Sequence, residues 1–182
     1  PWSTNPDTTF DRPWVFRAAF LDPFQGPVVA SFVQNEFGAE TAAVLYDVGS
    51  DYPKGLAENF RDAATANGIE VVGFETFTTG DTDFSSQLTN IIADSPDVIF
   101  TPQYYNEVPL IVQQARELGY EGPMVGSDSW GTADLLDLCG EACNGLFFST
   151  HYAPDIATEV GQTFISAYEE RYNATPSDVA AL

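Results

Sequence analysis

The sequence predicts an α/β fold: a doubly wound parallel sheet with strand order 2-1-3-4-5. Three observations lead there. Short β-rich runs alternate with stretches of helical periodicity along the chain. Several of those runs, 42–46 and 98–100 among them, are near-continuously apolar, the mark of parallel strands buried on both faces. Residues that break the pattern, chiefly Tyr, Ser, Thr and Asp, gather just after the strands, where open α/β sheets hold their ligands.

In chain order, the β-rich runs are 14–19, 41–47, 69–74, 97–101, 123–126 and 145–150. The first helix is expected over 27–37, where Val28, Val29, Phe32, Val33 and Phe37 form an apolar stripe that stops at Gly38. The second, 53–67, places Leu56, Phe60 and Ala64 on one face, with Pro53 suited to its first turn and Gly68 to its end. The third, 83–93, turns Leu88, Ile91 and Ile92 inward, and Asp83 is expected to cap it. The fourth, 106–118, does the same with Leu110, Ile111, Ala115 and Leu118. A short fifth covers 132–138, and the last, 157–172, aligns Val160, Phe164, Ala167 and Tyr168. Five strand-to-helix units thus occupy 41–150, and 2-1-3-4-5 is the default order for five such strands.

Composition narrows the function. Against 27 acidic residues stand one lysine, Lys54, and five arginines, for a net charge of -21. A nucleic-acid partner held on a basic face is excluded, because phosphate affinity needs clustered cations, and an anionic membrane surface is excluded by the same sign. With 44% apolar and 14% aromatic residues, the chain can bury a sizeable core. Its longest apolar run, 28–33, is interrupted by Ser31 and falls far short of a membrane span. The start at Pro1, with no basic segment leading into an apolar one, reads as a mature form or an excised piece. Cys139 and Cys143 stand four apart with Gly140 between them. A local disulfide, which implies an oxidising compartment, and a pair of small buried apolar residues are both open readings.

The expected strand ends carry distinctive residues: Asp47 to Tyr52 after the first of the five strands, 78–83 after the second, 102–106 after the third, 126–130 after the fourth and 150–152 after the fifth. The first and third flank the point where the strand order reverses. Such an edge, rich in tyrosine, hydroxyls and aspartate, suits a small ligand with an apolar body and a cationic group: tyrosine rings cover the one, and a desolvated carboxylate pairs the other.

Motifs for other chemistry are missing. The sequence has no phosphate-cradling loop of either the G-x-x-x-x-G-K-[ST] or the G-x-G-x-x-G kind, no G-x-S-x-G elbow, no calcium loop and no His or Cys cluster with metal-ligand spacing. No cofactor is expected. The single histidine, His151, has no neighbouring nucleophile and reads as a polar residue at a strand end. Asn173-Ala-Thr175 matches a short glycosylation sequon.

The segment 14–27, Trp-Val-Phe-Arg-Ala-Ala-Phe-Leu-Asp-Pro-Phe-Gln-Gly-Pro, resembles the crossover into the second lobe of branched-chain-amino-acid-type periplasmic binding proteins, the substrate receptors of ABC importers. So do 47–55, Gly80-Asp-Thr-Asp-Phe-Ser85, Pro96-Asp-Val-Ile-Phe100, Gln114-Ala-Arg116 and Gly126-Ser-Asp-Ser-Trp130, in order along nearly the whole chain. The resemblance implies two α/β lobes, joined by three hinge strands, that close over a small ligand such as an amino acid. It also implies no enzymatic activity, a membrane permease as partner and a periplasmic or extracellular location.

Carried over by position, Thr4 resembles the first-lobe threonine that meets the ligand's α-amino and carboxylate groups. Tyr52 and Tyr104 resemble the second-lobe tyrosines that pack on the ligand, and Asp128 the acidic residue that holds its ammonium. Asp128 stands where the leucine/isoleucine/valine receptors have Glu, and the stretch from Asp47 to Tyr52 is one residue longer than theirs. On this likeness residues 1–22 are the tail of the first lobe and a hinge crossing, 23–144 the second lobe, and 145–182 a return crossing with a first-lobe helix. The apolar face of that helix is expected to pack elsewhere on the chain or to pair between copies, so the chain is expected to self-associate. A sensory ectodomain of a signalling receptor and a flavodoxin-like enzyme are the alternative readings.

Overall fold

The computed structural model describes residues 2–182, less the side chains of residues 133, 134 and 136; Pro1, at the head of the expected 1–22 segment, lies outside the described residues. Five parallel strands, β1 (Thr41–Asp47), β2 (Glu70–Phe77), β3 (Val98–Phe100), β4 (Met124–Gly126) and β5 (Leu146–Phe148), form one sheet in the order β2-β1-β3-β4-β5. This is the expected order. Helices α1 (Asp22–Phe37), α2 (Asp51–Ala66), α3 (Ser85–Ala93), α4 (Val108–Glu117) and α5 (Ala133–Cys139) cover it, followed by α6 (Glu159–Tyr172) and the short α7 (Asp178–Ala181).

The layering follows from strand alternation. Ala42, Val44 and Tyr46 of β1 point to one face, where they pack with Val98 and Phe100 of β3 against α1 and α2. Ala43 and Leu45 point to the other, where they meet Ile99 and Met124 and the inward faces of α3, α4 and α5. Right-handed crossovers account for this division, because the step from β1 to β2 runs opposite to every later step across the sheet. On the first face α1 and α2 approach closely at Gly26, where a Cβ would sit 2.8 Å from the backbone of Asn59 and Phe60.

Several boundaries differ from expectation for local reasons. Helix α1 begins five residues early, at Asp22, whose N–H bonds the carbonyl of Thr4 at 3.0 Å. Pro27 therefore lies inside the helix, not in its first turn; lacking an N–H, it leaves the carbonyl one turn back without its usual bond. Helix α2 starts at Asp51, which puts Tyr52 in its first turn. Asp83 accepts the N–H of Ser85 at 3.0 Å, although the cap residue by backbone geometry is Phe84. The stop at Gly38 is as expected, with the glycine at φ 65° in the left-handed region.

At the ends one expectation is corrected and one is met only in part. Residues 14–19 join no sheet among the described residues, because a strand needs a neighbour to bond and none lies beside them. Trp14 is 87% exposed, while Arg17 ties the segment back to the carbonyl of Asn5 at 2.8 Å and the hydroxyl of Thr9 at 2.9 Å. In α6 the stripe Val160, Phe164, Ala167 and Tyr168 is covered only in part: Phe164 and Tyr168 are half-buried, their ring centroids 5.8 Å apart. Val160 and Ala167 are exposed, and the buried residue is Ile165. Asn173 ends this helix in the left-handed conformation, a role that asparagine tolerates. Cys139 and Cys143 are joined by a disulfide that closes the end of α5. No helix among the described residues is long and apolar enough to cross a membrane.

Candidate ligand site

The carboxyl ends of β1, β3 and β4 open onto one cleft. Tyr52 reaches it from the first turn of α2, Tyr104 from the loop after β3, and Asp128 and Ser129 from the turn after β4; Trp2, Ser3 and Thr4 come from the N-terminal segment. All four residues singled out in the sequence, Thr4, Tyr52, Tyr104 and Asp128, therefore line the same space. Its volume, about 140 Å³, lies below that of pockets for drug-sized molecules and suits a small solute.

Asp128 is the most constrained of the four. It is 4% exposed, and its Oδ1 accepts from the hydroxyl of Tyr52 at 2.5 Å and from Nε2 of Gln25 at 2.8 Å. Its own N–H donates to Oε1 of Gln25 at 3.2 Å, and the Ser149 hydroxyl donates to that same oxygen at 2.7 Å. The turn carrying Asp128 is pinned from behind. The Ser129 hydroxyl and Trp130 Nε1 both donate to the carbonyl of Gln103, at 2.8 and 2.9 Å, which ties the loop after β4 to the loop after β3. Gly126 makes this possible, since a Cβ there would sit 2.1 Å from the Trp130 ring.

The tyrosines form the apolar wall. The rings of Tyr52 and Tyr104 are 5.3 Å apart and inclined by 37°. Tyr104 is 42% exposed, so its face is open to an occupant. Burial, reinforced by the nearby Asp128 carboxylate, raises the Tyr52 phenol well above its ordinary range and keeps it a proton donor to that carboxylate. Thr4 is buried, and its side chain hydrogen-bonds that of Asp22. Burial pushes the Asp22 carboxyl up to about 6 despite that bond.

The lining residues Trp2, Ser3 and Ser129 were not marked as site residues in the sequence, nor were Gln25 and His151 behind the cleft. Gln25 sits on a helical stretch where a glutamine looks like any solvated residue. Its partners lie more than a hundred positions away, so no local spacing exposes it. His151, read as a polar strand-end residue, is instead stacked on Phe20 with ring centroids 3.8 Å apart, and its Nδ1 is 4.0 Å from Oδ2 of Asp128. Burial lowers its proton affinity, opposed by Asp128 and Asp178. Among the described residues no group of three His, Cys, Asp or Glu side chains is placed to hold a metal ion.

Comparison with known proteins places the chain in a family. The description "Periplasmic binding protein" belongs to a family model that matches residues 1–182. The chain belongs to that family. A leucine binding protein from Thermotoga maritima has the same fold with a TM-score of 0.92 and 38% identity, over 98% of this chain and 51% of that one. The branched-chain amino acid transporter substrate binding protein of Streptococcus pneumoniae, solved in complex with isoleucine, gives 0.85 and 34% over the same shares. The leucine-specific-binding protein of Salmonella typhimurium is 29% identical over 147 residues, 80% of this chain and 40% of that protein. The chain thus spans about two-fifths to one-half of the relatives it matches. The family and these relatives are binding proteins, not enzymes.

Proposed function

We propose that this chain supplies the second lobe of an extracytoplasmic solute receptor that delivers a small amino-acid-like ligand to the membrane permease of an ABC importer. One observation carries the reading: Thr4, Tyr52, Tyr104 and Asp128, on four separate segments, converge on one small cleft at the carboxyl ends of the strands. Asp128 neutralises the ligand ammonium by a charge-assisted bond, and Tyr52 and Tyr104 enclose the apolar part. Thr4, whose hydroxyl proton goes to Asp22, keeps an oxygen lone pair to accept from the α-amino group. Residues 23–144 form the ligand-gripping lobe. Residues 1–22 are the tail of the other lobe and one hinge crossing, and 145–182 are the return crossing with a helix of that other lobe. The first lobe then covers the face that α6 leaves open. Closure of the two lobes supplies the remaining contacts and is what the permease reads.

Support for this arrangement comes from the length of the relatives and from the names of those that bind leucine or isoleucine. A thermal-shift screen of the standard amino acids on the full-length protein tests it. A bound ligand raises the unfolding midpoint by mass action, with about 2.7 kcal/mol expected at a hundredfold excess over Kd. In Asp128→Ala the response to amino acids disappears, while any response to carboxylates without an amino group survives. Silence of the wild type to every amino acid, or an undiminished response in the variant, overturns the reading.

A further inference from the structure

We propose that Gln25 is a positioning residue that holds Asp128 in its ligand-receiving orientation and couples it to the segment leaving β5. The inference rests on Asp128 being the ammonium acceptor. Gln25 is 1% exposed and grips Asp128 at two points, accepting from its backbone N–H at 3.2 Å and donating to its carboxylate at 2.8 Å. The backbone N–H can only donate, so the side-chain amide is oriented with Nε2 toward the carboxylate. Both the position of the Asp128 backbone and the rotation of its side chain are thereby set by one residue of α1.

The same Oε1 accepts from Ser149, on the stretch immediately after β5. Three segments widely separated in sequence therefore meet at one amide. The support behind it is close-packed: at Gly26, the next residue, α1 leaves no room for a Cβ against the backbone of Asn59 and Phe60. Tyr52, on α2, donates to the same carboxylate oxygen and adds a second restraint on the Asp128 side chain.

The test is calorimetry on the full-length protein with L-leucine as probe or, where leucine is silent, the standard amino acid giving the largest thermal shift. Gln25→Met keeps the length and removes all three bonds; affinity is expected to fall at least about tenfold, the loss of one bond to a charged group. Ser149→Ala, a gentler change that leaves the grip on Asp128 intact, is expected to cost about twofold to fourfold. In an Asp128→Asn background, measured at millimolar probe, Gln25→Met is expected to cost a clearly smaller factor than in the wild type, because the charge it positions is gone. Equal losses in both backgrounds would show a merely structural role and overturn the proposal, as would wild-type affinity in Gln25→Met. Failure of the wild type to bind any amino acid would be seen before a variant is made; it would remove the underlying reading and the proposal with it.

Discussion

The hydroxyl of Tyr52, in the first turn of α2, donates to Oδ1 of Asp128, in the turn after β4, at 2.5 Å. On the proposed function one residue would serve both halves of the ligand, its ring facing the apolar part and its hydroxyl holding the carboxylate assigned to the ammonium. With its phenol raised well above the ordinary range by burial and the Asp128 charge, Tyr52 stays a donor at any physiological pH. Tyr52→Phe separates the two roles. The ring remains, and the loss of one bond to a charged group is expected to weaken amino acid binding at least about tenfold. Calorimetry on the full-length protein measures it; unchanged affinity would mean that only the ring matters.

Gly126 is expected to tolerate no side chain. A Cβ would press on the Trp130 ring at 2.1 Å, and that ring is buried with its Nε1 bonded to Gln103. Gly126→Ala should cost about 1–3 kcal/mol or more through overpacking and should also disturb the turn that bears Asp128. Gly38 makes the control: its φ of 65° disfavours alanine, but nothing lies within 4 Å, so Gly38→Ala should cost about 1 kcal/mol and leave the site alone. Urea unfolding of the two variants, together with amino acid binding, separates these mechanisms. Equal costs and equal binding would contradict them.

The Cys139–Cys143 bridge closes a loop of sequence separation 4, so its effect on the unfolded chain is small. Loop-closure entropy puts it at about 2 kcal/mol, equivalent to roughly 4–8 °C in the unfolding midpoint of a chain this size. Cys139→Ser with Cys143→Ser should show that drop, and the wild type should show it on addition of reductant. Binding should be unaffected, because the bridge sits at the end of α5 and lines no part of the cleft. A scan with and without reductant suffices, and identical midpoints would contradict the expectation.

What could be read from the sequence was what periodicity encodes. Residues 42–46 are apolar at every position because both faces of β1 are covered, and that continuity announced a parallel sheet. The inward faces of α2 and α3 followed from helical spacing, and Leu56, Phe60, Leu88 and Ile91 are buried; on the fourth helix Ile111 and Ala115 are buried, but Leu110 and Leu118, also expected inward, are exposed. The early start of α1 was not legible: two prolines and a glycine within five residues argue against helix, and the helix holds because tertiary bonds such as Asp22 N–H to Thr4 override propensity. The cleft was legible at Tyr52, Tyr104 and Asp128, which stand at strand ends, and at Thr4 only through the family resemblance. Gln25 was not, since its role arises from partners distant in sequence.

Asp22 supplies a stability signature that can be read without a ligand. Its carboxyl is buried at the start of α1, with Oδ1 unbonded; the Thr4 bond and Arg17 favour the charged form but do not offset burial and Asp128. The folded-state value of about 6 lies above the 3.8 of an ordinary aspartate, so between those limits the native state binds the proton more tightly than the unfolded chain. Stability from this group is therefore present at acid pH and is lost as pH rises from about 4 through about 6. Asp178, also raised, acts in the same direction, whereas His151, lowered, acts in the opposite sense as pH falls through its unfolded value near 6.5. Because these and the other acids blur the wild-type profile, the informative quantity is the difference between Asp22→Asn and wild type. Asparagine keeps an acceptor for the Thr4 hydroxyl and carries no charge. The variant's advantage should be near zero at about pH 4, grow to about pH 6 and level off above it, reaching on the order of 1–2 kcal/mol after allowance for solvent screening. Urea midpoints across that range give the curve; a difference that stays flat with pH would show that Asp22 ionises in the fold as it does in the open chain.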